Sequence, residues 1–290
     1  MLAALGANLA LAFGPLFVRL ADVGPVAAGF WRLALAAPIL VMAGLFAPGG
    51  YRGSAPLLGV LVAGGVAFAA DLGSWHLGIR QTTLANATLF GNSATLIFPI
   101  YGFLVARQWP TRSQAVALLI ATVGGGLLMG RSYSVSPEHL VGDLLCLLAG
   151  VLYTVYFIAM ARAREGLGSV QVLALSTVAG LPLLAAAWLL GEAIWPREWG
   201  PLILLALGSQ LIGQGLMIYA LGVLPPLVIG IALLVQPVVA AIIGWVRFGE
   251  RLGWPDLLGA ALVATALVLI RRTPVAAPPP IPQNVPETIA

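Results

Sequence analysis

From Leu207 to Ile270 the chain runs as three long apolar stretches parted by very short breaks. The first break carries Pro225-Pro226, and the second carries Arg247, Glu250, Arg251 and Asp256. Gln210, Gln214, Gln236 and Pro237 sit inside the apolar runs. A water-soluble core would accommodate this pattern only at high cost. A bilayer accommodates it readily. Each run approaches the about 20 residues that cross a hydrocarbon core as a helix. Neighbouring helices can also satisfy the backbone groups that a proline frees.

The rest of the chain repeats the pattern. Of its 290 residues 60% are hydrophobic and only 8% charged, against roughly 25% charged in a soluble domain. Hydropathy predicts an all-α polytopic membrane protein with ten transmembrane helices. They lie near 2–20, 26–46, 56–78, 84–105, 113–130, 140–161, 170–190, 200–221, 227–247 and 255–271. Residues Met1 to Val18 read as the first span rather than a cleaved signal, because no positive region precedes them. Pro48-Gly49-Gly50-Tyr51-Arg52 and Trp109-Pro110-Thr111-Arg112 punctuate the breaks. Trp109, Trp195, Trp199 and Trp254 fall where an interfacial aromatic belt is expected. The proline-rich tail 273–290 is expected to be disordered.

Several function classes are excluded. All fourteen basic residues are arginines. Without lysine there is neither Schiff-base chemistry nor a lysine-bearing phosphate-binding loop. Cys146 is the one cysteine, so no disulfide framework or cysteine metal site exists. The net charge of +4 reads as loop arginines facing lipid headgroups, not as a nucleic-acid surface. An embedded enzyme would need a paired nucleophile and base, or two acids. Asp71 with Asp143 is the sole dyad candidate, and His76 and His139 are far apart in the chain. No metal and no cofactor are expected.

An internal repeat relates positions 142 apart, matching Gln108 with Glu250, Gly102 with Gly244, and the Leu77 to Thr83 break with the Tyr219 to Pro225 break. Five helices per half is odd, so the halves must lie in opposite orientation, as in inverted-repeat transporters. The expected organisation is a first repeat over 1–130, a connecting loop over 131–139 and a second repeat over 140–272. The halves are not identical copies: Thr95 aligns with Pro237, and Pro99 lies one turn later.

The chain resembles the EamA-type family of the drug/metabolite transporter superfamily. The resemblance rests on Phe13-Gly14-Pro15, Trp31-Arg32-Leu33, Tyr219-Ala220-Leu221, Pro237, Gly249-Glu250-Arg251 and Gly259, and it covers residues 1 to about 271. It implies a secondary transporter that exports small metabolites such as amino acids, or alternatively amphipathic drugs, across a bacterial-type inner membrane by alternating access. It also implies a cavity walled by helices 1, 3, 4, 6, 8 and 9. Both termini are taken as cytoplasmic from the resemblance, since the positive-inside count of loop arginines is seven to six. The expected partners are a small-molecule substrate and the lipid bilayer, with no nucleic acid, in a monomer or weak homo-oligomer.

Polar groups at mid-depth are costly and usually face protein or a water-filled cavity. Asp71 lies within an apolar helix, Trp75 shares its face, and His76 lies beside that face. Gln210 and Gln214 fall one turn apart, and the repeat puts Gln214 at the depth of Asp71. Asn92, flanked by Thr88 and Thr95, can line the cavity, and Asn86 lies further up the same helix. Tyr153, Tyr156 and Tyr219 offer rings whose hydroxyls need partners. These residues make Asp71, Trp75, His76, Asn92, Tyr153, Gln210, Gln214 and Tyr219 the candidate substrate site. For the amides the structural alternative is interhelical bonding, and for the aromatics core packing. Asp143 suits the first turn of a helix, where the dipole favours an acid. Arg32 is expected to snorkel to the interface. The aromatic residues point to bulky or aromatic amino acids as substrates. Among the acids, Asp71 is the best-placed proton carrier.

Overall fold

A computed structural model of the chain describes residues 1–47, 54–79, 81–82, 87, 90–129, 137–248 and 253–272. The break at 48–52, Thr83, Asn86, Thr88, the first part of the connecting loop, Gly249-Glu250-Arg251 and the tail 273–290 lie outside the described residues. Every regular element among the described residues is a helix, with no strand among them. Among the described residues six helices are long and apolar enough to cross a membrane: Leu2–Leu20, Pro25–Phe46, Ala55–Gly78, Pro137–Ala163, Gly200–Leu221 and Pro226–Ile243. Ala94–Ala106, Ser169–Ala179 and Leu257–Ile270 are apolar but shorter.

The sequence predicts unbroken spans except for a kink at Gln236-Pro237 in the ninth, and four of the spans are interrupted or altered. The first divides into α1 (Leu2–Leu11) and α2 (Gly14–Leu20). Pro15 lacks an N–H and cannot bond the carbonyl one turn back, so the helix parts just before it. The seventh divides into α8 (Ser169–Ala179) and α9 (Leu183–Leu189), around Pro182. The ninth divides at Leu234 into α12 (Pro226–Leu233) and α13 (Val235–Phe248), with Pro237 in the first turn of α13. The eighth begins as α10 (Gly200–Leu204), widens into a π-helix over Leu205–Gln214, and closes as α11 (Gly215–Leu221). Wide turns of this kind are rare and often found at functional sites. The remaining helices are α3 (Pro25–Phe46), α4 (Ala55–Ile79), α5 (Ala94–Ala106), α6 (Arg112–Met129), α7 (Leu140–Ala163) and α14 (Trp254–Arg272).

Small residues decide which helices meet. A Cβ on Gly64 of α4 would stand 2.6 Å from Met160 Cε and 2.8 Å from Ala159 Cβ of α7, so these helices lie against each other closely. In the same way α6 lies along α14, α3 along α8, and α5 across α12, while α1 packs on the π-helix and α11. Lipid is as apolar as the core, and the outer surface reflects it: Ile39, Met42, Val62, Val66, Leu148, Val151, Val155 and Leu207 are exposed. Trp109, Trp195 and Trp254 are exposed as an aromatic belt requires. Trp195 and Trp199 also pack on Trp31, at ring separations of 5.4 and 4.9 Å.

Candidate functional site

A cavity of about 350 Å³ opens among the helices. It is lined by the second half of the first span (Leu11 to Arg19), the second half of α4, the residues just before and at the start of α5, and the segment around Pro237. It therefore occupies the end of the bundle to which the first helix runs. At the opposite end the chain is sealed by buried residues, among them Phe98, Tyr156, Phe157, Met217, Ile218 and Ile229. Both broken helices of the wall, the first and the ninth, present their breaks to the cavity. Discontinuous helices at mid-membrane expose unpaired backbone groups, which suit a binding site for polar ligands.

Three charged side chains line this space: Arg19, which is exposed, and the more deeply set Arg32 and Asp71. Arg32 of α3 is 8% exposed and lines the cavity. Asp71 of α4 lines it too, within electrostatic reach of the guanidinium. Among the described residues the Asp71 carboxylate has no hydrogen-bond partner. Arg32 is held firmly. Its Nε donates to Gln210 Oε1 at 3.0 Å, its Nη2 to the Ser209 carbonyl at 3.4 Å, and its Cζ stands 5.3 Å from the Phe68 ring centre. The start of α3 is fixed from outside the cavity: Glu192 accepts the Ala27 N–H at 2.8 Å, and Trp31 Nε1 donates to the Ile194 carbonyl at 2.7 Å. With Trp31 committed there, the next residue points inward.

Amides and rings complete the wall. Gln214, 1% exposed, donates through Nε2 to the Tyr153 hydroxyl at 3.2 Å and leaves its Oε1 without a partner among the described residues. Tyr153 stacks beside Phe68 and Tyr156. Gln236, on the cavity face of α13, donates to Asn8 Oδ1 at 2.7 Å. The walls are otherwise largely apolar.

A family model described as the EamA-like transporter family matches residues 1–130 and 140–272. The chain belongs to the EamA-like transporter family. It is 29% identical over 153 residues to the threonine/homoserine exporter RhtA of Escherichia coli (strain K12), a match covering 52% of each chain. It is 28% identical over 163 residues to RhtA of Salmonella typhimurium (strain LT2), covering 54% of this chain and 55% of that one. The chain thus spans about half the length of the curated relatives it matches. A solved crystal structure overlays on 92% of this chain and 95% of its own, at a TM-score of 0.79 and 17% identity, which speaks to the fold alone.

Of the residues singled out in this EamA-like chain, the structure brings Asp71, Trp75, His76, Asn92, Tyr153 and Gln214 together around the cavity. His76 is 4% exposed and packs its imidazole against Gly29 of α3, with Nδ1 left without a hydrogen-bond partner among the described residues. Gln210 has a different place. It is fully buried, outside the cavity lining, and bonded at both amide atoms, to Arg32 and to the Thr177 hydroxyl at 2.9 Å. Tyr219 is 49% exposed and does not line the cavity either, because α11 turns that face outward. Asp143 accepts the Thr82 hydroxyl at 2.5 Å near the start of α7, away from Asp71 and the cavity, so the two acids form no dyad.

Arg32 corrects the expectation most sharply. It does not snorkel, because Gln210 and the Ser209 carbonyl receive its side chain inside the bundle. The second helix therefore joins the cavity wall through Pro25, Gly29 and Arg32, beyond the six helices expected. A signal was present. Arg32 lies seven residues into α3 from Pro25, about 10 Å along the axis at 1.5 Å per residue. Few positions so deep carry a charge unless it is paired.

Proposed function

We propose that this chain exports neutral amino acids across the bacterial inner membrane, binding them as zwitterions in the central cavity. One observation carries the reading: Arg32 and Asp71 present opposite charges to the same small, largely apolar space. An α-amino acid has a carboxylate and an ammonium on neighbouring atoms and would bridge the two. Gln214 Oε1 offers the ammonium a further acceptor. Phe68, Trp75 and Tyr153 give a bulky or aromatic side chain an apolar bed. The printed activity of the RhtA relatives, threonine and homoserine export, supports amino acids as the class. A broad substrate range extending to amphipathic compounds is compatible with the same walls.

The transport cycle in this reading is alternating access between two inverted five-helix halves, 1–130 and 140–272, with both termini cytoplasmic. The pairing of helices supports it. Exchanging the halves turns the α4–α7 contact into the contact of the first helix with the eighth, and returns the α6–α14, α3–α8 and α5–α12 contacts to themselves. The fold then has its cavity open at one end and sealed at the other.

The test is counterflow in liposomes containing the purified chain, with labelled threonine, homoserine, phenylalanine and tryptophan, with and without a proton gradient. Saturable exchange of at least one amino acid, lost in Arg32→Gln, is expected. Flux of none of them would move the substrate to another class within the family, and flux that never saturates would point to a channel.

A further inference from the structure

The guanidinium of Arg32 has five N–H donors in one plane. Protein takes two of them: Nε–H goes to Gln210 Oε1 and one Nη2–H to the Ser209 carbonyl. Both lie on the same edge of the group, the edge formed by Nε and Nη2. The end fork, formed by Nη1 and the second hydrogen of Nη2, is engaged by no described residue, and Arg32 lines the cavity. A carboxylate meeting that fork would accept two parallel bonds.

Gln210 determines which edge is free. Arginine can only donate, so the amide oxygen must face it. The amide nitrogen then faces Thr177, whose hydroxyl oxygen accepts at 2.9 Å. A flipped amide would set donor against donor at Arg32, so the two bonds fix one orientation. Gln210 is fully buried and does not line the cavity, so a ligand there would not touch it. The π-helical turn carries Gln210 and the Ser209 carbonyl side by side, both aimed at α3.

We infer that Gln210, oriented by Thr177, is a positioning residue that aims the end fork of Arg32 into the cavity and so sets the preference for carboxylate-bearing substrates. This rests on the cavity being the substrate site of an amino acid carrier. It assigns the selectivity for the carboxylate, as against the rest of the substrate, to a residue one shell removed.

The experiment uses the full chain in detergent and reads affinity as concentration-dependent thermal protection. Two ligand pairs differ only at the carboxylate: phenylalanine with phenylalaninamide, and butyrate with butyramide. The wild type is expected to prefer the carboxylate member. In Gln210→Leu the affinity for the carboxylate should fall about tenfold, the size of a charge-assisted hydrogen bond. The affinity for the amide should change less than threefold. Thr177→Val should shift the same ratio in the same direction by a smaller factor, and it decides the matter if Gln210→Leu does not fold. A purely structural role would lower the unliganded melting temperature and move both members equally, which overturns the assignment, as does a ratio unchanged in both variants. Protection of the wild type by butyrate but not by phenylalanine, with the ratio still shifted, would uphold Gln210 and overturn the amino acid reading. Protection by neither pair would overturn both.

Discussion

Gln236 Nε2 donates to Asn8 Oδ1 across 2.7 Å, and this bond joins the two broken helices of the cavity wall close to their breaks. Asn8 lies four residues before Ala12, and Gln236 two after Leu234. The Asn8 amide is itself fixed, since its Nδ2 donates to the Ala4 carbonyl at 2.8 Å. The pair stands at the floor of the cavity, where the open end gives way to the sealed one.

Cutting this link should loosen the seal more than it destabilises the fold. Such interhelical bonds contribute about 0.6 kcal/mol in membranes, and the released Gln236 amide can turn to water in the cavity. A cysteine at Ala4, fully buried one turn from Asn8, is the reporter. In a Cys146→Ser background, Ala4→Cys should be protected from maleimide, and adding Asn8→Leu should speed its labelling several-fold. Labelling at the same rate in both would remove Asn8 from the seal.

Arg32→Lys tests whether charge alone suffices. An ammonium has three donors about a point, not a planar fork. It cannot satisfy Gln210, the Ser209 carbonyl and a bidentate carboxylate together. The expected result is a rise of at least tenfold in the half-saturating substrate concentration, or about 1.4 kcal/mol. Arg32→Met should abolish exchange and lower the melting temperature, because it leaves the fully buried Gln210 Oε1 without its donor. A lysine variant with wild-type affinity would show that the fork is dispensable.

In the proposed reading Asp71 meets two cations, the substrate ammonium and a proton. One carboxylate cannot hold both, so their competition offers a route to proton-coupled export. Asp71→Asn keeps an acceptor for the ammonium but cannot carry a proton. Counterflow should persist with weakened affinity, and flux driven by a proton gradient should vanish. If gradient-driven flux survives at the wild-type rate, Asp71 is not the proton carrier.

The membrane-spanning character was legible because apolar run length is a one-dimensional property, and bilayer thickness sets its scale. Asp71 was legible for a related reason: a lone acid in an apolar helix stands out against its neighbours. Arg32 was legible only in part: its depth in the helix points to a paired charge, but a position in the first half of a helix is also compatible with snorkelling. Only the tertiary structure supplies Gln210, from a helix nearly 180 residues away, as the group that receives it inside. Gln210 and Gln214 look alike in the sequence, one turn apart. The π-helical turn and Thr177 commit one to Arg32 and leave the other at the cavity. Tyr219 misled because a ring with a hydroxyl suits a binding wall and an outer surface equally. The break at Pro237 could be read from proline chemistry, whereas the widened turn over Leu205–Gln214 leaves no mark in hydrophobic periodicity.

Two glycine substitutions should separate close packing from helix propensity. Gly230 of α12 crosses α5 where a Cβ would fall 2.7 Å from the Thr95 carbonyl oxygen and against the Pro99 ring. Neither neighbour can yield easily, since one is backbone and the other a closed ring. Gly230→Ala must therefore push the helices apart, at a cost of about 1–3 kcal/mol, and should lower the melting temperature. Gly59 of α4 has nothing within 4 Å of its would-be Cβ. There alanine only removes backbone freedom from a helix interior, a gain of roughly 0.5–1 kcal/mol. Gly59→Ala should thus melt at or above the wild-type temperature. Because α5 and α12 meet in the sealed half, Gly230→Ala should also slow exchange, while Gly59→Ala leaves it unchanged. Equal melting temperatures for the two variants would mean that the α5–α12 crossing is not the close contact described.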